Sequence, residues 1–286
     1  MSERHSFGIV LTGGSGFIGR HVRALAATRG IALDLISRSE IDVEANERLV
    51  HVEGLGQVDW GSSLRRFERC ALVHLAWGGL PNYQSEHHFD VELPLQTAML
   101  QRAVDAGVHR VIVSGTCFEY GAASGAIAES RRCDPGTAYG QAKRRLAEFC
   151  LTPEIAERAE VTWFRIFYPY GAGQRATSLY GLLRDAHRRG ERSFAVRTPD
   201  RYCDFIRVGE VAEVFVQAAR ANRIPSVMNL GSGRPLTVLE HAKAIVSENR
   251  WDLEVRREPG VENETGGFWA DVECLERWRR SLTLIG

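Results

Sequence analysis

The chain has 286 residues, 44% hydrophobic and 25% charged, with 36 Lys+Arg balancing 36 Asp+Glu. That is ordinary globular usage with room for one large domain or two coupled lobes, and it excludes a disordered chain, a collagen-like repeat and a disulfide scaffold. Basic residues occur as scattered pairs (Arg131-Arg132, Arg188-Arg189, Arg256-Arg257) rather than as a patch, so nucleic acid is not an expected partner.

From the N-terminus, β-type runs alternate with helical ones: a strand at 7–12, a helix at about 16–28, strands at 32–36 and 72–75, a helix at 84–106 and a strand at 108–114. Parallel βαβ units are the economical reading, because each crossover needs about a dozen residues and takes a helix. A helix at 138–150 and a strand at 161–165 then complete an α/β, doubly wound parallel sheet of Rossmann type over residues 1–165. Beyond Arg165 the pattern loosens, predicting a smaller C-terminal α/β substrate lobe over 166–286, with part of 204–231 returning to the first unit. The turn-rich tract 121–136 reads as a surface loop beside a site.

Between the first strand and helix lies Thr12-Gly13-Gly14-Ser15-Gly16-Phe17-Ile18-Gly19. Gly13 permits the tight turn, Gly16 lets backbone N–H groups approach a pyrophosphate, and Gly19 lets helix and strand pack closely. In that context the motif predicts a dinucleotide held by Gly13, Gly16, Phe17, Ile18 and Gly19. The second strand ends Ser37-Arg38-Ser39, with no carboxylate before Glu40. A guanidinium beside hydroxyls suits a 2′-phosphate, so NADP is expected ahead of NAD, with Ser37 and Arg38 as contacts. Asp59 is a candidate for the adenine amino group and equally an ordinary turn aspartate.

Tyr139 and Lys143 stand at i and i+4 of a predicted helix, a phenol one turn from an ammonium that would lower its pKa toward proton transfer with a carbinol oxygen. Thr116, at the end of the preceding strand, is placed where ligands collect in open parallel sheets and could bond the same oxygen.

Taken with HLAW at 74–77, VSGTCFEYG at 113–121, RIFYPYGAGQ at 165–174, DFIRVGEVAE at 204–213 and NLGSG at 229–233, the chain resembles an extended short-chain dehydrogenase/reductase of the NAD-dependent epimerase/dehydratase family nearly end to end. The resemblance implies that Tyr139 is the acid/base, that Lys143 lowers its pKa and holds the nicotinamide ribose, that Thr116 orients the substrate, and that Leu75 and Ala76 line the dinucleotide site. It also implies a nucleotide-sugar substrate and a homodimer paired through the two long helices. Dehydratases of the family carry an Asp-Glu pair after the catalytic Thr; Cys117 and Phe118 stand there, so 4,6-dehydration is not expected. Glu119, one place on, reads as a loop carboxylate bonded to nearby backbone.

What remains is hydride transfer at C4: reduction of a 4-keto-6-deoxy sugar nucleotide by NADPH, with an NAD-dependent 4-epimerase and a non-catalytic NADP sensor as alternatives. Cys117, Tyr168, Arg175 and Arg201 are the candidate substrate contacts, although Tyr168 and Cys203 replace an Asn and an Arg that usually hold the diphosphate, and Arg207 replaces a common His. A sugar without a nucleotide, or another small ketone, is therefore left open. His87-His88, Trp60, Trp77, Trp269 and Trp278 read as packing or surface residues, and Cys117 as an inert thiol. The six cysteines lack C-x-x-C spacing and suit reduced thiols in a cytosol, with no metal-ligand spacing and hence no metal. No apolar run reaches about 18 residues and no cleaved signal precedes the first strand, so the expectation is a cytoplasmic protein with no membrane partner.

Overall fold

The alternating apolar runs of the first half fold as the sequence pattern predicts, into parallel strands linked by helices. The computed structural model describes residues 5–260 and 266–283. Its strands in the first part are β1 (His5–Thr12), β2 (Ala32–Ser37), β3 (Glu47–His51), β4 (Phe67–His74), β5 (Arg110–Thr116), β6 (Gly125–Ile127) and β7 (Glu160–Ile166). These alternate with helices α1 (Phe17–Thr28), α2 (Trp60–Arg66), α3 (Leu93–Asp105), α4 (Ala138–Cys150) and the short α5 (Pro153–Ala156). The remainder contributes β8 (Tyr168–Tyr170), α6 (Leu179–Arg188), β9 (Ser193–Val196), β10 (Arg201–Arg207), α7 (Val208–Arg220), β11 (Val227–Leu230), β12 (Pro235–Thr237), α8 (Val238–Glu248), β13 (Glu254–Arg257), β14 (Gly266–Ala270) and α9 (Glu273–Thr283).

Seven strands form one parallel sheet in the order β3-β2-β1-β4-β5-β7-β11. Its central strands are buried on both faces, which is why they read as continuous Val/Ile/Leu runs. One face packs against α1, α7 and α9 through Val22, Ala26, Val211, Phe215, Leu275 and Trp278. The other packs against α2, α3 and α4 through Trp60, Met99, Leu100, Leu146 and Ala147. A second sheet runs β12-β10-β14-β6, with β8 also pairing with β10, and a β9–β13 pair covers α6 and α8. Among the described residues no helix is long and apolar enough to cross a membrane. All six cysteines are unpaired thiols.

Strand order reverses between β1 and β4, so the chain leaves their carboxyl ends in opposite directions and opens a crevice there. The β1–α1 turn is closed by sterics at two glycines. Gly13 has φ +72°, and a Cβ on it would stand 2.7 Å from the Ala76 nitrogen after β4. A Cβ on Gly19 would overlap the Gly13 carbonyl oxygen.

Three expectations are corrected. The predicted 84–106 helix is shorter: residues 79–85 form turns, and α3 begins only after a π turn over His88–Glu92. Pro94 offers no N–H to the carbonyl four residues back, and the Leu93 N–H instead bonds the His88 carbonyl, widening the preceding turn. The 121–136 tract is not loop throughout, because β6 joins the second sheet beside β14. β3 and α2 were not anticipated: β3 is an edge strand whose Arg48, with Arg66 of α2, pairs the buried Asp34 of β2, so its pattern is not that of an apolar run.

Replacing Gly19 by Ala should lower stability by about 1–3 kcal/mol through overpacking of the turn. Denaturant unfolding checks this, and an unchanged midpoint would remove the steric account of that glycine.

Candidate active site

β5 ends at Thr116 and turns at once into a 3₁₀ turn, Cys117–Tyr120, closed by a reciprocal cap: Thr116 Oγ1 accepts from the Phe118 N–H at 3.3 Å, and Glu119 Oε1 accepts from the Thr116 N–H at 2.8 Å. Glu119 is fully buried. Its carboxylate also accepts from Trp163 Nε1 at 2.9 Å and Arg165 Nε at 3.0 Å. Arg165 Nη1 then donates to the Tyr120 hydroxyl and the Glu129 carbonyl, both at 3.0 Å. Burial holds the Glu119 carboxyl above its ordinary value, although Arg165 and the N–H donors pull it down. Each of those partners is a donor, so the geometry is that of an ionised carboxylate.

Helix α4 is seated against this turn. Thr137 caps it by accepting from the Gly140 N–H at 3.1 Å, and a Cβ on Gly140 would stand 2.7 Å from the Phe118 carbonyl oxygen. That close approach brings Tyr139 to the cavity that Thr116 also lines, where the Thr116 hydroxyl acts to lower the phenol. One turn on, Lys143 is 1% exposed, donates to the Ser114 carbonyl at 2.8 Å, and lies 4.1 Å over the Trp77 ring.

The electrostatics depart from the sequence reading. The Tyr139 phenol is pushed up rather than down, first by burial and then by Glu119, Tyr83 and Cys117, with the Thr116 hydroxyl opposing. Burial lowers Lys143 to about 8, against the pull of Glu119 and Glu92. Desolvation thus exceeds the expected help from the ammonium, and Tyr139 is held as a protonated donor. Beneath the site, Thr12 Oγ1 and His74 Nδ1 are 2.7 Å apart, and burial with Lys143 nearby lowers His74 to about 3, keeping it neutral.

A cavity of about 530 Å³ joins these groups to the glycine turn. Of the sequence-predicted residues, Gly13, Gly16, Phe17, Ile18, Gly19, Leu75, Thr116, Cys117, Tyr139, Lys143, Tyr168 and Arg175 line it. Ala76 backs Gly13 and donates its N–H to Thr12 Oγ1 at 3.3 Å. Ser37 and Arg38 sit at the end of β2 outside the cavity; Arg38 is exposed and its guanidinium has no partner among the described residues. Asp59 is exposed and caps α2 by accepting from the Ser62 N–H at 3.3 Å, the ordinary turn role. Arg201 is exposed, two residues before Cys203 on β10 and so on its face of the strand. Arg207 faces outward in an ion pair with Glu248 at 2.6 Å. Burial pushes the Cys117 thiol up, leaving it unreactive.

The dinucleotide test is met by the turn itself. α1 has no side-chain cap, its first residues line the cavity, and a Cβ on Gly16 would meet only the Gly13 carbonyl within the protein. Uncapped N–H groups at a helix start, with room for close approach, fit a pyrophosphate. Among the described residues no His/Cys/Asp/Glu group could hold a metal ion.

Several cavity residues escaped the sequence reading. Trp77, read as packing, lines the cavity; its Nε1 donates to His88 Nδ1 at 3.1 Å, and His88 Nε2 donates to the Asn82 carbonyl at 2.8 Å. Its signal was its place directly after Ala76. Tyr83, Phe118, Phe205 and His241 join only through tertiary packing: Phe118 touches Tyr139, Tyr83 and Tyr168, and His241 stacks on Phe205 at 3.6 Å.

The model of the NAD dependent epimerase/dehydratase family matches residues 9–231. The chain is 23% identical over 251 residues to a dTDP-6-deoxy-L-talose 4-dehydrogenase (NAD(+)) of Aggregatibacter actinomycetemcomitans, covering 84% of this chain and 90% of that one. It is 26% identical over 263 residues to a dTDP-6-deoxy-L-talose 4-dehydrogenase (NAD(P)(+)) of Kitasatospora kifunensis, covering 88% and 82%. Among solved structures, the NAD-dependent NDP-hexosamine 5,6-dehydratase TunA superposes with TM-score 0.75 at 25% identity over 94% of this chain and 90% of that one. A UDP-N-acetylglucosamine 4-epimerase from Methanobrevibacter ruminantium M1 superposes with TM-score 0.77 at 19% identity over 96% and 92%.

Burying Lys143 has a pH signature. Its proton is disfavoured in the folded chain, so the cost is fully present below about pH 8 and is relieved as pH rises toward the unfolded value near 10.5. The parent should therefore gain stability as pH rises from about 8 toward 10.5, and Lys143→Met should lack that gain. Equal pH dependence of the two melting temperatures would contradict the burial cost.

Proposed function

The chain belongs to the NAD dependent epimerase/dehydratase family, and we propose that it reduces the C4 ketone of a 4-keto-6-deoxy sugar nucleotide with NADPH, Tyr139 giving the proton. It is an NAD(P)-dependent oxidoreductase of the short-chain dehydrogenase/reductase superfamily. The observation that carries the reading is that Thr116, Tyr139 and Lys143 line one cavity with the glycine turn, and that no carboxylate is among its lining residues.

When bound, the nicotinamide supplies hydride to the carbonyl carbon. The residues of the chain handle the oxygen. Thr116 and Tyr139 form a paired donor set for one oxygen atom, and Tyr139 passes its proton to the alkoxide that hydride addition creates. The Lys143 ammonium, one turn away, offsets the phenolate left behind. Cys117 and Phe118 provide no acid or base for proton transfer at neighbouring carbons, which argues against dehydration.

Trp77, Tyr83 and Phe118 pack around Tyr139 and with Leu80 line the cavity, an apolar surface suited to a methyl at C6 rather than a hydroxymethyl or carboxylate. The dTDP-6-deoxy-L-talose named for both curated relatives supports the same substrate class. For the diphosphate, Arg175 at the mouth, 3.3 Å from the Tyr83 hydroxyl, and Arg201 are the available cations. NADP is favoured by the unpaired Arg38 beside Ser37 and by the lack of a carboxylate at the end of β2.

Replacing Tyr139 by Phe should lower kcat on a dTDP-4-keto-6-deoxyhexose about 10²- to 10⁴-fold; retained turnover in a steady-state assay would reject Tyr139 as donor. Arg38→Ala should weaken NADPH binding about tenfold while leaving NADH nearly unchanged. Calorimetry decides, and an unaltered NADPH/NADH preference would exclude Arg38 from cofactor selection.

A further inference from the structure

Glu119 does not line the cavity, yet it is bonded to the Thr116 backbone and acts through its charge on Tyr139 and Lys143. Its carboxylate bonds the Thr116 N–H at 2.8 Å, which fixes the turn that aims the threonine hydroxyl. Trp163 and Arg165 of β7 hold it from the neighbouring strand at 2.9 and 3.0 Å. It is 0% exposed, and the groups its charge acts on include Cys117 in its own turn, Cys133 in the segment before α4, Tyr139 and Lys143 in α4, and Arg165 in β7.

We propose that Glu119 is a positioning residue for the reduction, fixing the Thr116 hydroxyl through the backbone and supplying the buried negative charge that the catalytic phenol and ammonium both face. Were Glu119 only a turn cap, a neutral acceptor would serve, and Trp163 and Arg165 would not need to converge on it. A carboxylate there favours the proton-loaded form of both groups, the state from which a donor must start. The other groups that face Lys143 are Glu92 and Cys150, with His74 beneath, and none of these bonds the Thr116 turn.

The proposal rests on the functional reading above for its kinetics, but its electrostatic half is measurable without turnover. The chain has two lysines, Lys143 and the exposed Lys243. In a Lys243→Arg background, lysine-labelled protein gives one ammonium titration by NMR, with a midpoint expected near 8. Glu119→Gln should move that midpoint down by about one pH unit. It should also cut kcat about tenfold or more with KM changed far less, and shift the alkaline limb of kcat to lower pH. Glu119→Asp keeps the charge but shortens the reach: the midpoint should stay near that of the parent while kcat falls. An unmoved Lys143 midpoint in folded Glu119→Gln protein overturns the charge assignment, and unchanged kcat in both variants overturns the positioning role. If Glu119→Gln does not fold, the aspartate variant decides alone, a displaced midpoint or unaltered kcat overturning the proposal. A parent protein that reduces no 4-ketosugar would refute the functional reading separately, since the NMR titration still reports on Glu119.

Discussion

The close approach of two backbone segments at the middle of the large sheet constrains everything built above it. Gly13 can lie against Ala76 only because neither position projects a side chain into the gap, and Gly19 can lie against Gly13 for the same reason. With the β1–α1 turn pressed onto the end of β4, the start of α1 faces the crevice and its uncapped N–H groups are presented to it. Thr12 ties the two strand ends further, its hydroxyl bonding both the Ala76 N–H and His74. The same crevice then receives β5 and α4, which carry Thr116, Tyr139 and Lys143.

The reactive end is built at a cost to stability. A lysine with 1% exposure, a fully buried carboxylate and a phenol pushed upward by burial are each unfavourable in isolation. Lys143 and Glu119 are tolerated because each is bonded, Lys143 to the Ser114 carbonyl and Glu119 to Trp163 and Arg165, while the Tyr139 ring packs among Trp77, Tyr83 and Phe118. The network ends in Tyr120, whose hydroxyl donates to Asn229 Oδ1 at 2.6 Å, so the turn after β5 is fastened to the edge strand β11. A site held this rigidly has little reorganisation left for the moment of reaction.

Periodicity and motif placement reached most of the large sheet and the convergence of Thr116, Tyr139 and Lys143 on one cavity, because parallel strands buried on both faces leave long apolar runs and i, i+4 spacing puts Tyr139 and Lys143 on one helix face. What escaped the sequence depended on depth or on distant partners. The sign of the Tyr139 shift follows from how far α4 sinks against the β5 turn, a quantity that spacing does not carry. Glu119 read as a local cap because Trp163 and Arg165, 44 and 46 residues away, are what bury it. β3 and β6 are short, half-buried strands whose pairing comes from their neighbours rather than from their own pattern. The C-terminal part of the chain was hardest to read, since Phe205 and His241 meet from separate elements.

The most direct test of the hydride assignment follows the label itself. Incubated with NADPH deuterated at the transferable C4 position and a dTDP-4-keto-6-deoxyhexose, the protein should place one deuterium at sugar C4 in a single configuration, with stoichiometric NADP release. Product without deuterium at C4 would contradict net reduction by this site, as would inversion at C4 of the corresponding dTDP-6-deoxyhexose alcohol with no external cofactor consumed.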